Sequence, residues 1–183
     1  ELAYQKQLQG RDGSREVGLR IWESAGKTLP GQRELKRVVC EMGGKNAIIV
    51  DSDADLDETI VDSIYSAFGY QGQKCSALSR LIVLEENYDR VMERLLAAAA
   101  SLRIGNPEEA GITVGPVIDE RAYKRILEMI EVGKKEATLA YQAKEVPKDG
   151  YFIPPTIFTD VEPTARIARE EIFGPVLGVF KSN

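Results

Sequence analysis

The sequence predicts an α/β fold in which helices flank a largely parallel sheet. Short apolar stretches alternate along the chain with longer amphipathic stretches that have helical spacing. At 183 residues and 43% hydrophobic composition, the chain corresponds to one domain or slightly more and can bury a substantial core. The sequence contains no internal repeat and no low-complexity linker. Together these observations indicate a layered globular fold.

The first two predicted elements are a helix and a strand. The helix is expected at Ser14–Ala25, where Val17, Ile21 and Trp22 lie on one face at helical spacing. The residues of Leu35–Glu41 alternate and include branched side chains, which predicts a strand that leads directly to Glu41.

A second strand is predicted at Asn46–Val50, which is short and strongly apolar. The acidic run at residues 53–57 suits a helix N-terminus, where carboxylates interact favourably with exposed amide groups. The helix that follows is expected to end near residue 68. Its buried face is formed by Leu56, Ile60, Ile64 and Phe68.

The second half of the sequence continues the alternation. A strand at Arg80–Leu84 is followed by a long helix at Tyr88–Leu102, and Asp119 is expected to cap another helix. Three more strands are predicted, at Ala137–Tyr141, Phe152–Phe158 and Val176–Phe180.

Composition narrows the classes of function. A net charge of −5 argues against nucleic acid or an anionic membrane as partner. No apolar run approaches the roughly 20 residues that span a bilayer, and the start of the sequence does not resemble a signal peptide. Two cysteines without histidine predict neither a disulfide framework nor a metal site, and they suit a reducing, intracellular compartment.

The first candidate for chemistry is Cys75, in the segment Gly69-Tyr-Gln-Gly-Gln-Lys-Cys-Ser76. Only the thiolate of a cysteine attacks a carbonyl carbon well, and Lys74 or exposed loop amides can favour that form. Because the chain contains no histidine, the histidine-assisted hydrolases are excluded and a carboxylate must assist the thiol. The competing interpretation is a buried structural cysteine, which is common among free thiols.

The second candidate is Glu41, which opens the segment Glu41-Met-Gly-Gly-Lys-Asn46. Because glycine has no side chain, a carboxylate with Gly-Gly just beyond the next residue can turn toward a cleft with little obstruction. The competing interpretation is a solvated surface carboxylate, which describes most glutamates. Cys40 is interpreted as a small core residue, since its side chain points to the opposite face of the predicted strand.

Two further segments are weak signals when taken alone. Gly13-Ser-Arg-Glu-Val-Gly18 has glycines at a spacing that opens a helix, and the amide groups of a helix N-terminus attract phosphate. Glu170-Glu-Ile-Phe-Gly-Pro-Val176 places acidic residues before a Gly-Pro turn. Each segment also has a purely structural interpretation, as a helix start and as a solvated turn.

Taken together and in this order, the four segments resemble the signatures of the NAD(P)-dependent aldehyde dehydrogenases. The resemblance covers the chain from about Gly13 to its last residue. It implies an aldehyde-dehydrogenase-like three-layer sandwich that is only partly present. In that case, residues 1–40 are a remnant of the NAD-binding domain, and residues 41–183 are a catalytic domain that is incomplete at its C-terminal end.

The resemblance also implies a role for each candidate residue. Cys75 is the nucleophile that forms a thioester, and Glu41 is the general base that activates water to release the acid. The cofactor is NAD, with NADP as the other possibility. The implied cofactor-binding residues are Gly13, Ser14 and Gly18 at the phosphates, Glu171 at the nicotinamide ribose and Phe173 beside the nicotinamide ring.

Three other stretches are most similar to the branch that oxidises L-glutamate γ-semialdehyde to glutamate in proline catabolism. They are Pro30–Arg37, Ser66–Ala77 and Glu131–Glu136. The expected partner is therefore a small aldehyde, and the expected assembly is a homo-oligomer of a longer protein. The expected location is the cytoplasm of a bacterium or the mitochondrial matrix of a eukaryote.

Two other functions remain open at this point. In a CoA-acylating semialdehyde dehydrogenase, CoA would replace water, although such an enzyme does not need Glu41 as a base. The chain is also compatible with a catalytically inactive domain that has a structural or assembly role. As a fragment, it is expected to fold at least partly, to bind NAD weakly and not to turn over substrate.

Overall fold

The computed structural model describes residues 15–183, and the chain divides into two units between Gly44 and Lys45. The described part of the first unit contains one helix, α1 (Arg15–Gly26), which confirms the first predicted helix. Ser14, the first residue of that predicted helix, lies outside the described residues.

The strand predicted at Leu35–Glu41 is wrong. These residues form no ladder, and the side chains of Leu35 and Val39 are each 83% exposed. A strand exists only when its backbone groups pair with those of a neighbour. Residues 15–44 contain no other strand with which this segment could pair.

The second unit is built on a five-stranded sheet with the spatial order β1-β2-β5-β4-β3. The strands are β1 (Asn46–Val50), β2 (Leu78–Leu84), β3 (Thr138–Gln142), β4 (Thr156–Thr159) and β5 (Val176–Ser182). The first four strands in this spatial order run parallel, and β3 pairs with β4 in the antiparallel direction. The predicted, largely parallel sheet is confirmed.

Four helices of the second unit connect these strands. They are α2 (Leu56–Phe68), α3 (Glu85–Ala100), α4 (Glu120–Glu136) and the short α5 (Arg166–Arg169). A 3₁₀ turn at Gly69–Gly72 follows α2 directly. The predicted Asp119 cap is confirmed, because its carboxylate accepts a hydrogen bond from the Ala122 amide at 2.7 Å.

Alternation along the strands produces three layers. Ile157 and Leu177 belong to one hydrophobic cluster with residues of α2 and α3. Their neighbours Phe158 and Val176 belong to a second cluster with residues of α4 and α5. Since successive side chains of a strand point to opposite faces, helices cover both faces of the sheet. The predicted sandwich of helix, sheet and helix is therefore confirmed.

Several predicted boundaries differ from the structure by one or more residues, and two of the differences have a clear physical reason. The helix expected at Tyr88–Leu102 begins earlier, at Glu85, because acidic residues stabilise the first turn of a helix. The strand expected at Phe152–Phe158 is paired only in its last part, from Thr156. Pro154 and Pro155 have no amide hydrogen to donate to a ladder, which explains the later start.

The parallel strands begin at one edge of the sheet, which we call the amino edge. Asn46 of β1 is paired in register with Leu78 of β2, and Thr156 of β4 with Val176 of β5. The segments that directly precede β2 and β5 therefore end at the same edge. These are the segments that carry Cys75 and Glu171. Among residues 15–183, no helix is both long enough and apolar enough to cross a membrane.

Candidate active site

Cys75 lies in a turn between the 3₁₀ turn and β2, and its side chain is exposed. The backbone before it is unusual, because three successive residues have positive φ angles: Tyr70 at 51°, Gln71 at 57° and Gly72 at 65°. This region is unfavourable for residues other than glycine, so the surrounding contacts must hold Tyr70 and Gln71 there. The thiol is therefore presented by a constrained loop and is not buried in the core.

Gly72 connects this loop to the segment that follows α5. A Cβ atom at Gly72 would lie 2.3 Å from the carbonyl oxygen of Gly174 and 2.6 Å from its carbonyl carbon. Only glycine permits this approach of two backbones. The structure thus brings the Cys75 segment against the Phe173-Gly174-Pro175 turn, so that two of the four segments found in the sequence lie together.

Asn46 holds the Cys75 turn from the neighbouring strand. Its side-chain amide donates to the carbonyl of Cys75 at 2.7 Å and to that of Ala77 at 3.0 Å. From α2, the hydroxyl of Ser66 accepts a hydrogen bond from the Leu78 amide at 3.1 Å. The sequence analysis missed Asn46, since its only signal was its place at the end of the Glu41 segment.

Two other residues of the loop have contacts of their own. The Lys74 ammonium lies over the ring of Tyr70, 5.6 Å from its centroid, as in a cation–π contact. The side-chain oxygen of Gln73 accepts a hydrogen bond from the Ile118 amide at 3.0 Å. The loop is therefore held from α2, from β1 and from the segment that precedes α4.

Glu171 is exposed, and two cations lie close enough to its carboxylate to interact with it electrostatically: Lys45 and Arg125. Burial lowers the pKa of Arg125, and the Glu171 carboxylate opposes that effect. The Arg125 guanidinium donates to the carbonyl of Ile172, the residue after Glu171. Phe173 is half-buried and has a φ of 53°, which completes a constrained turn before Gly174.

Lys45 is the most perturbed group near this turn. Burial and the nearby Arg80 guanidinium lower its pKa from 10.5 to about 8, while the Glu171 carboxylate acts in the opposite direction. Its ammonium donates to the carbonyl of Ile167 at 2.8 Å. Arg80 donates in turn to the carbonyl of Lys45. Lys45 belongs to the Glu41 segment in sequence, but nothing in the sequence indicated its contact with residues near Glu171.

The remaining candidates belong to the first unit. Glu41 is exposed and lies outside any helix or strand. The thiol of Cys40 is half-buried and donates to the carbonyl of Gly18 at 3.6 Å, in agreement with a structural role. Gly18 is buried on α1, and a Cβ there would lie 2.7 Å from the sulfur of Met42. The expected phosphate-binding residues Gly13 and Ser14 lie outside the described residues.

The sequence of this chain matches a known protein family over most of its length. The model of the aldehyde dehydrogenase family matches residues 12–183, so this chain belongs to the aldehyde dehydrogenase family. The predicted family is confirmed.

Within that family, the chain is similar to 1-pyrroline-5-carboxylate dehydrogenases. It is 51% identical to the one from Anoxybacillus flavithermus and 50% identical to one from Bacillus subtilis, each over 170 residues. Each match covers 93% of this chain and 33% of the relative. The chain thus spans about a third of the length of the curated relatives that it matches, and the predicted likeness to this branch is confirmed.

Solved structures of related proteins are also similar to this chain. The proline utilization A protein of Bdellovibrio bacteriovorus superposes with a TM-score of 0.90 at 50% identity, over 93% of this chain and 18% of that protein. A Thermus 1-pyrroline-5-carboxylate dehydrogenase with bound NAD superposes with a TM-score of 0.88 at 50% identity, over 93% of this chain and 33% of that protein.

Proposed function

We propose that this chain supplies the nucleophile-bearing part of an NAD-dependent aldehyde dehydrogenase. The substrate that we propose is L-glutamate γ-semialdehyde, the open form of 1-pyrroline-5-carboxylate, and the product is glutamate. The observation that carries the proposal is the exposed Cys75 on a constrained turn, held by Asn46 in a chain that belongs to this family. A buried structural cysteine would need none of these features.

The first chemical step that we propose is attack by the Cys75 thiolate on the aldehyde carbon. A bond forms between sulfur and carbon, and the carbonyl oxygen gains negative charge that hydrogen-bond donors must stabilise. The backbone amide of Cys75 is one candidate donor. When bound, NAD would supply the hydride acceptor, and loss of hydride from this carbon would leave a thioester on Cys75.

The second step that we propose is hydrolysis of the thioester. Glu41 takes a proton from water, the water oxygen attacks the thioester carbon, and the carbon–sulfur bond breaks to release the acid and the thiolate. An exposed carboxylate with two glycines, Gly43 and Gly44, just beyond the next residue has the freedom this role needs. Hydrolysis by water distinguishes this reaction from transfer of the acyl group to CoA.

The residues near Glu171 fit one part of a dinucleotide site. An exposed carboxylate accepts hydrogen bonds from ribose hydroxyls, and the half-buried ring of Phe173 offers apolar surface nearby. We assign the phosphate contacts to Gly13, Ser14 and Gly18. NAD is the cofactor proposed, with NADP as the alternative.

We also propose the assignment of residues 1–40 to a cofactor-binding domain and of residues 41–183 to a catalytic domain. The relatives are bacterial, which favours a cytoplasmic location for this protein. A homo-oligomer is the assembly that we propose.

The experiment needs a polypeptide of full length for this family. We therefore define a chimera in which the matched part of this chain replaces the corresponding 170 residues of the Bacillus subtilis relative. The purified chimera is supplied with L-glutamate γ-semialdehyde and NAD. We expect NADH and glutamate in equal amounts, and we expect neither from the Cys75→Ala chimera.

The matched control is Cys40→Ala, which removes the other thiol of the chain. This variant should keep NADH production within about two-fold of the parent chimera, because Cys40 touches none of the reacting atoms. A folded chimera that forms no NADH overturns the proposal. Formation of acyl-CoA in place of glutamate when CoA is added would identify the CoA-acylating reaction.

A further inference from the structure

We propose that Lys45 and Asn46 form a two-armed positioning element, in which Asn46 fixes the nucleophile turn and Lys45 fixes the segment that carries Glu171. The inference deepens the proposed function and rests on it. It assigns separate tasks to two adjacent residues that neither touch the reacting carbon nor belong to the expected site.

Strand geometry explains why neighbours serve different loops. Asn46 is the first residue of β1 and Lys45 directly precedes it, at the amino edge of the sheet. Successive side chains of an extended segment point in opposite directions. Asn46 accordingly reaches the loop before β2, while Lys45 reaches α5, which precedes β5.

The Asn46 arm holds both ends of a short turn. Its two amide hydrogens serve the carbonyls of Cys75 and Ala77, at 2.7 Å and 3.0 Å. The turn between them is closed by the Ala77 amide, which donates to the carbonyl of Lys74 at 3.0 Å. Since the side-chain direction of Cys75 depends on this backbone, loss of the Asn46 amide should misdirect the thiol.

The Lys45 arm holds a backbone position four residues before Glu171. The Lys45 ammonium donates to the Ile167 carbonyl at 2.8 Å, and the Ile167 amide donates to the Glu136 carboxylate at 3.2 Å. Both backbone polar groups of Ile167 therefore bond to charged side chains. Hydrogen bonds to charged groups are stronger than neutral ones, so they are well suited to fix this segment.

The Lys45 backbone is held as well, because the Arg80 guanidinium of β2 donates to its carbonyl. Burial of an ammonium is unfavourable, and the hydrogen bond to Ile167 and the nearby Glu171 carboxylate offset part of that cost for Lys45. A surface lysine on a flexible stem would not link two distant parts of the chain in this way. The geometry thus points to one element that serves two loops, and each arm can be removed without the other.

The first test measures anchoring in the chain itself by hydrogen exchange and mass spectrometry. Asn46→Ala should increase exchange at residues 73–78 and leave residues 167–175 unchanged. Lys45→Met should have the reverse effect. If neither variant alters its own segment, or if each alters both segments equally, the two-armed element is overturned.

The second test measures steady-state kinetics in the chimera. Asn46→Ala should lower kcat about ten-fold or more, with KM for NAD within about two-fold of the parent value. Lys45→Met should raise KM for NAD about five-fold or more, with a smaller effect on kcat. Asn46→Asp keeps the shape of the side chain but removes its donors, so its kcat should be at least as low as that of Asn46→Ala.

Two control variants separate these effects from a general loss of stability. Ser79→Ala removes the hydroxyl that donates to the Asn46 carbonyl at 3.2 Å, and Lys124→Met removes an exposed cation of α4. Both should leave kcat and KM within about two-fold of the parent.

If the parent chimera is inactive, the proposed function fails, and hydrogen exchange alone decides on the anchoring. If it is active but both variants change the same constant, the division of tasks is overturned.

Discussion

The two segments to which we assign the proposed chemistry, around Cys75 and around Glu41, differ in the contacts that the described residues make with them. The Cys75 turn has three left-handed residues before it and accepts two hydrogen bonds from Asn46. Glu41 lies in a run without helix or strand, which forms no ladder within residues 15–44, and the nearby side chain of Val39 is 83% exposed. A clear sequence motif therefore does not indicate whether the backbone of its residues is held by neighbouring contacts. The Cys75 turn is held by side-chain hydrogen bonds within its own unit, whereas the backbone around Glu41 takes part in no ladder within residues 15–44.

The largest loss of activity is expected when Cys75 is replaced. In the chimera, Cys75→Ala should lower the rate of NADH production by about 1,000-fold or more, because the proposed covalent intermediate forms on this thiol. NAD affinity, measured by fluorescence quenching, should stay within a few fold. Retention of about a tenth of the parental rate would remove Cys75 from the mechanism.

Glu41→Gln should have a smaller effect that falls on one half-reaction. Thiolate attack and hydride loss need no base at the water, so a rapid burst of NADH should precede a turnover that is about 100-fold slower. Rapid-quench kinetics resolve the two phases. A first turnover as slow as the later ones would show that Glu41 acts before the thioester forms, and it would weaken the contrast between the two segments.

Gly72→Ala tests the fixed backbone of the nucleophile segment. The variant combines a positive φ of 65° with a collision against the carbonyl of Gly174, so it should lower the free energy of unfolding by about 3 kcal/mol. The matched control is Gly31→Ala in the first unit, where φ is 82° but no heavy atom lies within 4 Å of the added Cβ. Strain alone should cost about 1 kcal/mol there. If urea unfolding shows the same loss of free energy of unfolding for both variants, the backbone at Gly174 moves away from the added Cβ at little cost.

Much of the fold is predictable because its signals are local. The predicted bounds of β1 are those of the structure, and the predicted bounds of α1 and α2 are close to the observed ones. The signals for these elements, the spacing of apolar residues and the acidic residues of the first turn, lie within each element. The strand at Leu35–Glu41 failed because pairing depends on a partner elsewhere in the chain. Local alternation cannot supply that information.

The same limit applies to the site. The motifs identified Cys75 and Glu171, but Asn46 contacts Cys75 across 29 positions and Lys45 contacts Ile167 across 122. Such contacts depend on the order of the strands, which places β1 beside β2 and β2 beside β5. Asn46 and Lys45 could only be found once that order was known. The roles of Glu41, Cys75 and Glu171 remain predictions.

Lys45 provides the smallest and most specific test, through the pH dependence of stability. Its pKa is about 8 in the folded chain and near 10.5 when unfolded, because burial and Arg80 disfavour the cation more than Glu171 favours it. Below pH 8 both states hold the proton, and the buried cation opposes folding. Between pH 8 and 10.5 the folded state has released the proton that the unfolded state retains, so the free energy of unfolding rises with pH.

This rise should disappear in Lys45→Met, which has no proton to release at that position. The difference between parent and variant should change by up to about 3 kcal/mol across the window, measured by urea unfolding at several pH values. Lys124→Met is the control with the opposite sign, since a hydrogen bond to Glu120 raises the pKa of Lys124 and its contribution is lost as pH rises. Parallel curves for the parent and Lys45→Met would mean that the Lys45 ammonium is solvated. The segment that carries Glu171 would then lack its buried anchor, and of the two arms only that of Asn46 would remain.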